Sequence, residues 1–87
     1  MKQASVILYS KPGCHLCEVM KVELQKAGCD QFYTLAEVDI NSSPELLDRY
    51  RFDIPVLNIN GRDVFKHRLR AHEFKAYLID VLCLTKS

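Results

Sequence analysis

The chain has 87 residues, 48% of them hydrophobic and 26% charged, with a formal net charge of +1. That length fits one domain, residues 1–87, with no room for a second. The composition is that of an ordinary globular protein, and a charge so near zero argues against nucleic acid or an acidic membrane as the main partner.

The apolar runs fall far short of a bilayer span. The first residues carry no secretory-signal pattern. The four cysteines, Cys14, Cys17, Cys29 and Cys83, are therefore expected as reduced thiols. The cytoplasm is the expected compartment, or an organelle if a transit peptide has been trimmed.

In chain order, "ASVILY" (4–9) predicts a short buried strand that ends at a Lys-Pro-Gly turn signal. Residues 15–27 predict a helix, with Leu16, Val19, Met20, Leu24 and Ala27 on one face and Gly28 as its stop. Glu23 interrupts that face, and the sequence gives no reason for it. "FYTLAEVD" (32–39) predicts a second strand. "NSSPELLDRY" then opens a short helix, capped by Ser43 with Pro44 at its first position, or by a Ser42–Glu45 capping box. "PVLNI" (55–59) and "RDVFK" (62–66) flank Asn60-Gly61 and predict a hairpin. Residues 70–84 predict a last helix, with Phe74, Tyr77, Leu78, Val81 and Leu82 along one stripe.

The order is β-α-β-α-β-β-α. Two strands joined through a helix run parallel, whereas a tight hairpin is antiparallel. The expected architecture is α/β, a four-stranded mixed sheet with helices on both faces.

"SKPGCHLC" (10–17) places a Cys-x-x-Cys between the first strand and the first helix. Alone the motif is weak; in a β-α-β unit it reads as a redox dithiol. Cys14 would sit where unpaired helix N–H groups and the positive end of the helix dipole favour thiolate over thiol. Such sites lower a cysteine pKa from about 8.5 into roughly 3.5–7.5, and the thiolate is the species that attacks a disulfide. Cys17, less than a turn further on, would point inward and react second. Lys11 either adds a cation to this site or is a solvated turn lysine. His15 either tunes Cys14 or is an exposed helix-start residue. Glu at residue 18 excludes a c-type haem motif.

Pro55 begins the third strand, a position where proline is tolerated. Spacing alone favours the ordinary trans bond. A cis bond beside Cys14 would instead present the Ile54 backbone to an extended substrate, as in strand addition.

"VILYSKPGCHLC" followed downstream by "DIPVLNING" resembles the glutaredoxins of the thioredoxin fold over nearly the whole chain. More narrowly, the chain looks like the small, divergent glutaredoxin-like proteins, in which "FDIPV" also occurs. The resemblance implies a thioredoxin-like fold and a thiol–disulfide oxidoreductase, with Cys14 as nucleophile, Cys17 as resolving thiol and the two forming a redox-active disulfide. It also implies a cis Pro55, with Lys11 and the Ile54 backbone as contacts to substrate; Lys11, His15, Ile54 and Pro55 are the candidate substrate-binding residues. No built-in cofactor and no metal are implied. Glutathione stands as a candidate co-substrate, the partner is a disulfide-containing protein or small thiol, and a monomer is expected.

Two departures bear on this. His15 stands where glutaredoxins usually carry proline. Phe65 and Lys66, in "VFKHRLR", replace the glycine pair that lets glutathione approach the backbone closely. Thioredoxins resemble the chain less, because "VILY" lacks their buried acid.

Two other classes stay open. One is a metal or iron–sulfur module; zinc would want four ligands, and Cys29, His67 and His72 are scattered around a single close cysteine pair. The other is a binding protein that keeps the fold with weak catalysis. The basic run "KHRLR" (66–70) with Arg62 is either a solvated face or a dock for an anionic substrate group. Cys29 reads as structural. Cys83, opposite Phe74 and near Ala76 and Ile79, would make the last helix apolar on two sides, covered by the chain terminus or by weak self-association. Asp39 and Asp53 receive no role.

Overall fold

A computed structural model describes the backbone of residues 3–84 and the side chains up to Leu82. The predicted order holds: β1 (Ala4–Ser10), α1 (His15–Ala27), β2 (Tyr33–Asp39), α2 (Pro44–Tyr50), β3 (Val56–Ile59), β4 (Arg62–Lys66) and α3 (Ala71–Leu84). Short 3₁₀ turns precede β2 (Asp30–Phe32) and α2 (Ile40–Ser42). Phe32 thus belongs to a turn and not to β2, and Pro55 lies just before β3.

The four strands form one mixed sheet in the order β2-β1-β3-β4. β1 is parallel to β2 and antiparallel to β3, and β3 is antiparallel to β4. Alternation along the central strands builds two cores. Ala4, Val6 and Leu8 of β1, with Leu57 and Ile59 of β3, pack with Met20 and Leu24 of α1 and Phe74 and Leu78 of α3. On the other face Tyr9 and Val56 join Ile40, Tyr50, Leu46 and Leu47 around α2. The helices therefore cover both faces, as expected.

α1 corrects the predicted face. Its buried residues are Cys17, Met20 and Leu24, whereas Leu16 and Val19 are 39% and 41% exposed. The expected stripe takes in Leu16 and Val19 and leaves out Cys17, although Cys17 is itself expected to point inward. A buried Cys17 turns the stripe by roughly 60° while Met20 and Leu24 stay within it.

The same rotation explains Glu23. Its Oε1 accepts the backbone N–H of Ala71 at 3.1 Å, across 48 residues of sequence, and so satisfies a donor at the start of α3 that has no partner within its own helix. Its Oε2 meets Lys26 at 3.1 Å. The Lys26 bond, then the Ala71 N–H, hold the Glu23 carboxyl below its ordinary 4.5. A carboxyl lowered by folding adds stability above its unfolded pKa and loses it as pH falls through the folded value. Glu23→Ala should therefore lower Tm by a few degrees at pH 7. That deficit should shrink as pH drops below about 4, which thermal melts across pH would show; a deficit independent of pH would contradict the capping role.

Asn60 (φ 52) and Gly61 (φ 86) both take left-handed backbone, the geometry of a two-residue hairpin turn that follows the sheet twist. Asn60 also ties the turn to β1: its Oδ1 accepts the Ser5 N–H and its N–H donates to the Ser5 carbonyl, both at 2.8 Å. Pro44 opens α2 as expected, but Ser43 makes no side-chain capping bond. The Ser42 hydroxyl instead donates to the Asp39 carbonyl at 2.6 Å.

Tyr50, the last residue of α2, donates its hydroxyl to Asp63 of β4 at 3.1 Å and stacks on Tyr9 at 4.5 Å. Asn58 Nδ2 donates to the same Asp63 carboxylate at 2.9 Å. Burial, then the Asp63 hydrogen bond, push the Tyr50 hydroxyl up to about 12. These bonds pin α2 to the hairpin and fix the loop between them, which carries Ile54 and Pro55.

On α3, Phe74 and Leu78 are buried, Tyr77 and Leu82 pack against the core, and Ile79 is exposed. The expectation for Cys83 concerns a side chain outside the described ones. Cys29 is buried, its thiol donating to the Ala27 carbonyl at 3.3 Å, in keeping with a structural role. No helix of the described residues is long and apolar enough to cross a membrane.

Candidate active site

β1 ends at Ser10 and the chain turns through Lys11, Pro12 and Gly13. Gly13 has φ +78, a left-handed conformation that costs a side chain about 1 kcal/mol or more. The turn closes when the Cys14 N–H donates to the Lys11 carbonyl at 3.3 Å. Cys14 is the N-cap of α1 (φ −86, ψ 108). Its carbonyl accepts from Glu18 N–H at 3.3 Å, and its Sγ accepts from Cys17 N–H at 3.1 Å. The sulfur thus occupies the place of a capping oxygen, facing N–H groups that the helix leaves unpaired.

Cys14 and Cys17 are joined as a disulfide, with their Cα atoms 5.3 Å apart. Cys14 is partly accessible while Cys17 is 1% exposed, on the buried face of α1. One sulfur can be reached from outside and the other lies behind it.

Antiparallel pairing of Tyr9 with Val56 brings Pro55 to the end of the sheet where β1 leads into Cys14. The Ile54–Pro55 bond is cis. The Ile54 N–H donates to the Tyr50 carbonyl at 3.2 Å, and the Pro55 carbonyl accepts from His67 N–H at 2.8 Å. Ile54 therefore spends its backbone donor inside the protein. Lys11 is exposed on the turn and His15 is exposed at the head of α1. The topology brings Lys11, Cys14, His15, Cys17, Ile54 and Pro55 to one end of the molecule.

On the β2 flank of the dithiol an open groove of about 370 Å³ is lined by Lys11, Gly13, Glu18, Lys21, Glu37 and Asp39, among others. Burial alone would raise the Glu37 carboxyl, but the Ser10 hydroxyl at 2.8 Å and Lys21 at 3.1 Å bring it below the usual carboxylate value. Lys21 is raised by its bonds to Glu18 and Glu37. The sequence showed no acid on β1; this one comes from β2, through a parallel register that pairs Leu8 with Glu37. Asp39 accepts the Asn41 N–H at 2.8 Å, and Asp53 meets Lys66 at 3.5 Å.

Phe65 packs edge-on against Tyr77 with ring centroids 6.0 Å apart, and Lys66 reaches across to Asp53. Both positions are thus filled by side chains engaged elsewhere in the fold. Among the described residues, no three His, Cys, Asp or Glu side chains gather as a metal site.

The model of the glutaredoxin-like domain (DUF836) matches residues 5–79. A glutaredoxin-like protein of Dictyostelium discoideum, described as a YDR286C homolog, is 30% identical over 74 residues, covering 78% of this chain and 68% of its own length. Among solved structures, protein XcR50 of X. campestris superposes with a TM-score of 0.75 at 24% identity, covering 86% of this chain and 96% of that one. Protein Ne2328 of Nitrosomonas europaea gives 0.75 at 24% identity, with 88% and 93% covered. Chloroplastic thioredoxin z gives 0.74 at 15% identity, with 94% and 80% covered. The sheet order, the dithiol at the head of α1 and these likenesses agree: the chain has a thioredoxin-like fold and belongs to the glutaredoxin-like (DUF836) family.

Proposed function

We propose that this protein is a thiol–disulfide oxidoreductase that reduces disulfides of proteins or small thiols. The observation that carries the reading is the Cys14 sulfur seated as the cap of α1, 3.1 Å from the Cys17 N–H, with Cys17 buried behind it. Hydrogen bonding to a sulfur anion and the helix dipole both favour thiolate at that place.

In the reduced protein the Cys14 thiolate attacks one sulfur of a substrate disulfide. A Cys14–substrate disulfide forms, the substrate S–S bond breaks, and the other substrate sulfur leaves as a thiolate that takes a proton from water. Cys17 then loses its proton and attacks Cys14 Sγ, releasing the second substrate thiol. The substrate has gained two electrons and two protons, and Cys14–Cys17 has become the disulfide seen in the structure. A low-molecular-weight thiol such as glutathione, or an external dithiol, returns the two electrons. Lys11, His15, Ile54 and Pro55 frame the approach to Cys14, and no step needs a resident cofactor or metal.

The test is turnover of 2-hydroxyethyl disulfide driven by glutathione or by dithiothreitol. Saturable catalysis above the rate of uncatalysed exchange is expected with at least one of the two reductants. A rate equal to uncatalysed exchange with both would contradict the proposal.

A further inference from the structure

The connection from β4 to α3 starts at the dithiol end of the sheet. Its start is fixed by the His67 N–H on the Pro55 carbonyl at 2.8 Å, and its end by the Ala71 N–H on Glu23 Oε1 at 3.1 Å. Pro55 lies at the dithiol end of the sheet and Glu23 lies midway down α1, so residues 67–70 track α1 along the same side. Leu69 is buried within this segment, while Arg68 and Arg70 on either side of it are exposed. Neither Arg68 nor Arg70 forms a salt bridge among the described residues, and Arg70 lies within electrostatic range of Glu23.

The facing surface of α1 is apolar. Leu16 and Glu23 are seven residues apart and share one helix face, so Leu16 lies on the side along which 67–70 runs. Val19 sits one turn from Leu16 and Val22 one turn beyond; all three are 39–48% exposed. Leu16 lies in the first turn of α1, two residues after Cys14, so the ridge begins beside the reacting sulfur.

We propose that the ridge Leu16–Val19, bordered by Arg68 and Arg70, docks the polypeptide that carries the substrate disulfide, and that this polypeptide is acidic around its cysteine. The inference rests on the oxidoreductase reading and names its substrate class. Length supports a polypeptide over a small thiol. Glu23, which marks the Arg70 end, lies nine residues past Cys14, or about 13 Å along the helix axis at 1.5 Å per residue. An extended chain covers about 3.3 Å per residue, so some four residues beyond the reacting cysteine are needed to span that border. A thiol whose sulfur is bonded to Cys14 and which has one residue on either side does not reach it. Complementary charge supports the acid: two arginines beside an apolar strip attract carboxylates and repel basic segments.

The test uses short synthetic peptides, each with one cysteine held as a mixed disulfide with 2-mercaptoethanol and a leucine beside it. One peptide carries glutamates on both sides and the other lysines; 2-hydroxyethyl disulfide is the small comparison. At low salt kcat/KM for the glutamate peptide should exceed that for the lysine peptide about tenfold, and the gap should narrow at high salt. Arg68→Glu/Arg70→Glu should reverse the preference. Val19→Glu, a surface change with little cost to folding, should lower turnover of a third peptide, with the same cysteine and leucine but neither glutamate nor lysine, relative to the small disulfide. An equal preference in the wild-type and double-variant proteins, or an unchanged peptide-to-small-disulfide ratio in Val19→Glu, would overturn the docking surface while turnover of the small disulfide keeps the oxidoreductase reading intact. No turnover of any of these substrates would overturn both.

Discussion

Cys14→Ser should abolish disulfide turnover, a loss on the order of a thousandfold or more, because a serine hydroxyl at this cap neither ionises nor attacks a disulfide near neutral pH. The fold should survive, since serine is itself a favoured N-cap and keeps an acceptor for the Cys17 N–H. Cys17→Ser should fail differently. Its Cys14 still attacks but has no partner to release it, so substrate accumulates on Cys14. Mass spectrometry of Cys17→Ser after exposure to a disulfide, without added thiol, should show one substrate thiol bound per chain at Cys14. Adduct on Cys17 in the Cys14→Ser variant, at a comparable rate, would reverse the assigned roles. Burial of Cys17 argues against that outcome.

The second large effect is on stability. Phe74 is fully buried where α3 meets the sheet, and its ring lies edge-on to Tyr33 with centroids 5.2 Å apart. Phe74→Ala removes a ring from a packed site that closes only in part, which costs about 3–5 kcal/mol. A domain of this class has roughly 5–15 kcal/mol in total, so the variant should be marginally folded. Urea denaturation should show a much lower midpoint with a similar slope. A loss below about 1 kcal/mol would mean that α3 does not seal this core as described.

Much of this arrangement is legible in the sequence because local signals agree. Asn60-Gly61 marks a hairpin that does form, Gly28 stops α1 in the left-handed conformation it is suited to, and Cys14 lies at the strand–helix junction where spacing puts it. What escaped is tertiary. The face of α1 is set by Cys17, whose inward side chain joins Met20 and Leu24 in the core and leaves Leu16 and Val19 turned outward. Glu23 looked like a flaw in an apolar stripe, because its partner is a backbone N–H 48 residues away. Glu37 and Ser10 meet only through a parallel register, which a reading of β1 by itself does not contain. The cis form of Pro55 was implied by family resemblance and not by spacing. The basic run at 66–70 is visible as charge; its path is set at one end by the His67 N–H on the Pro55 carbonyl and at the other by the Ala71 N–H on the Glu23 carboxylate, neither of which leaves a sequence pattern.

The central claim is the ionisation of one sulfur, and the most direct measurement is the pH dependence of Cys14 alkylation by iodoacetamide in the reduced protein. With the Cys17 N–H and the α1 terminus favouring the anion, the rate should titrate with a midpoint within roughly 3.5–7.5. A midpoint near the free-cysteine value of about 8.5 would contradict the account.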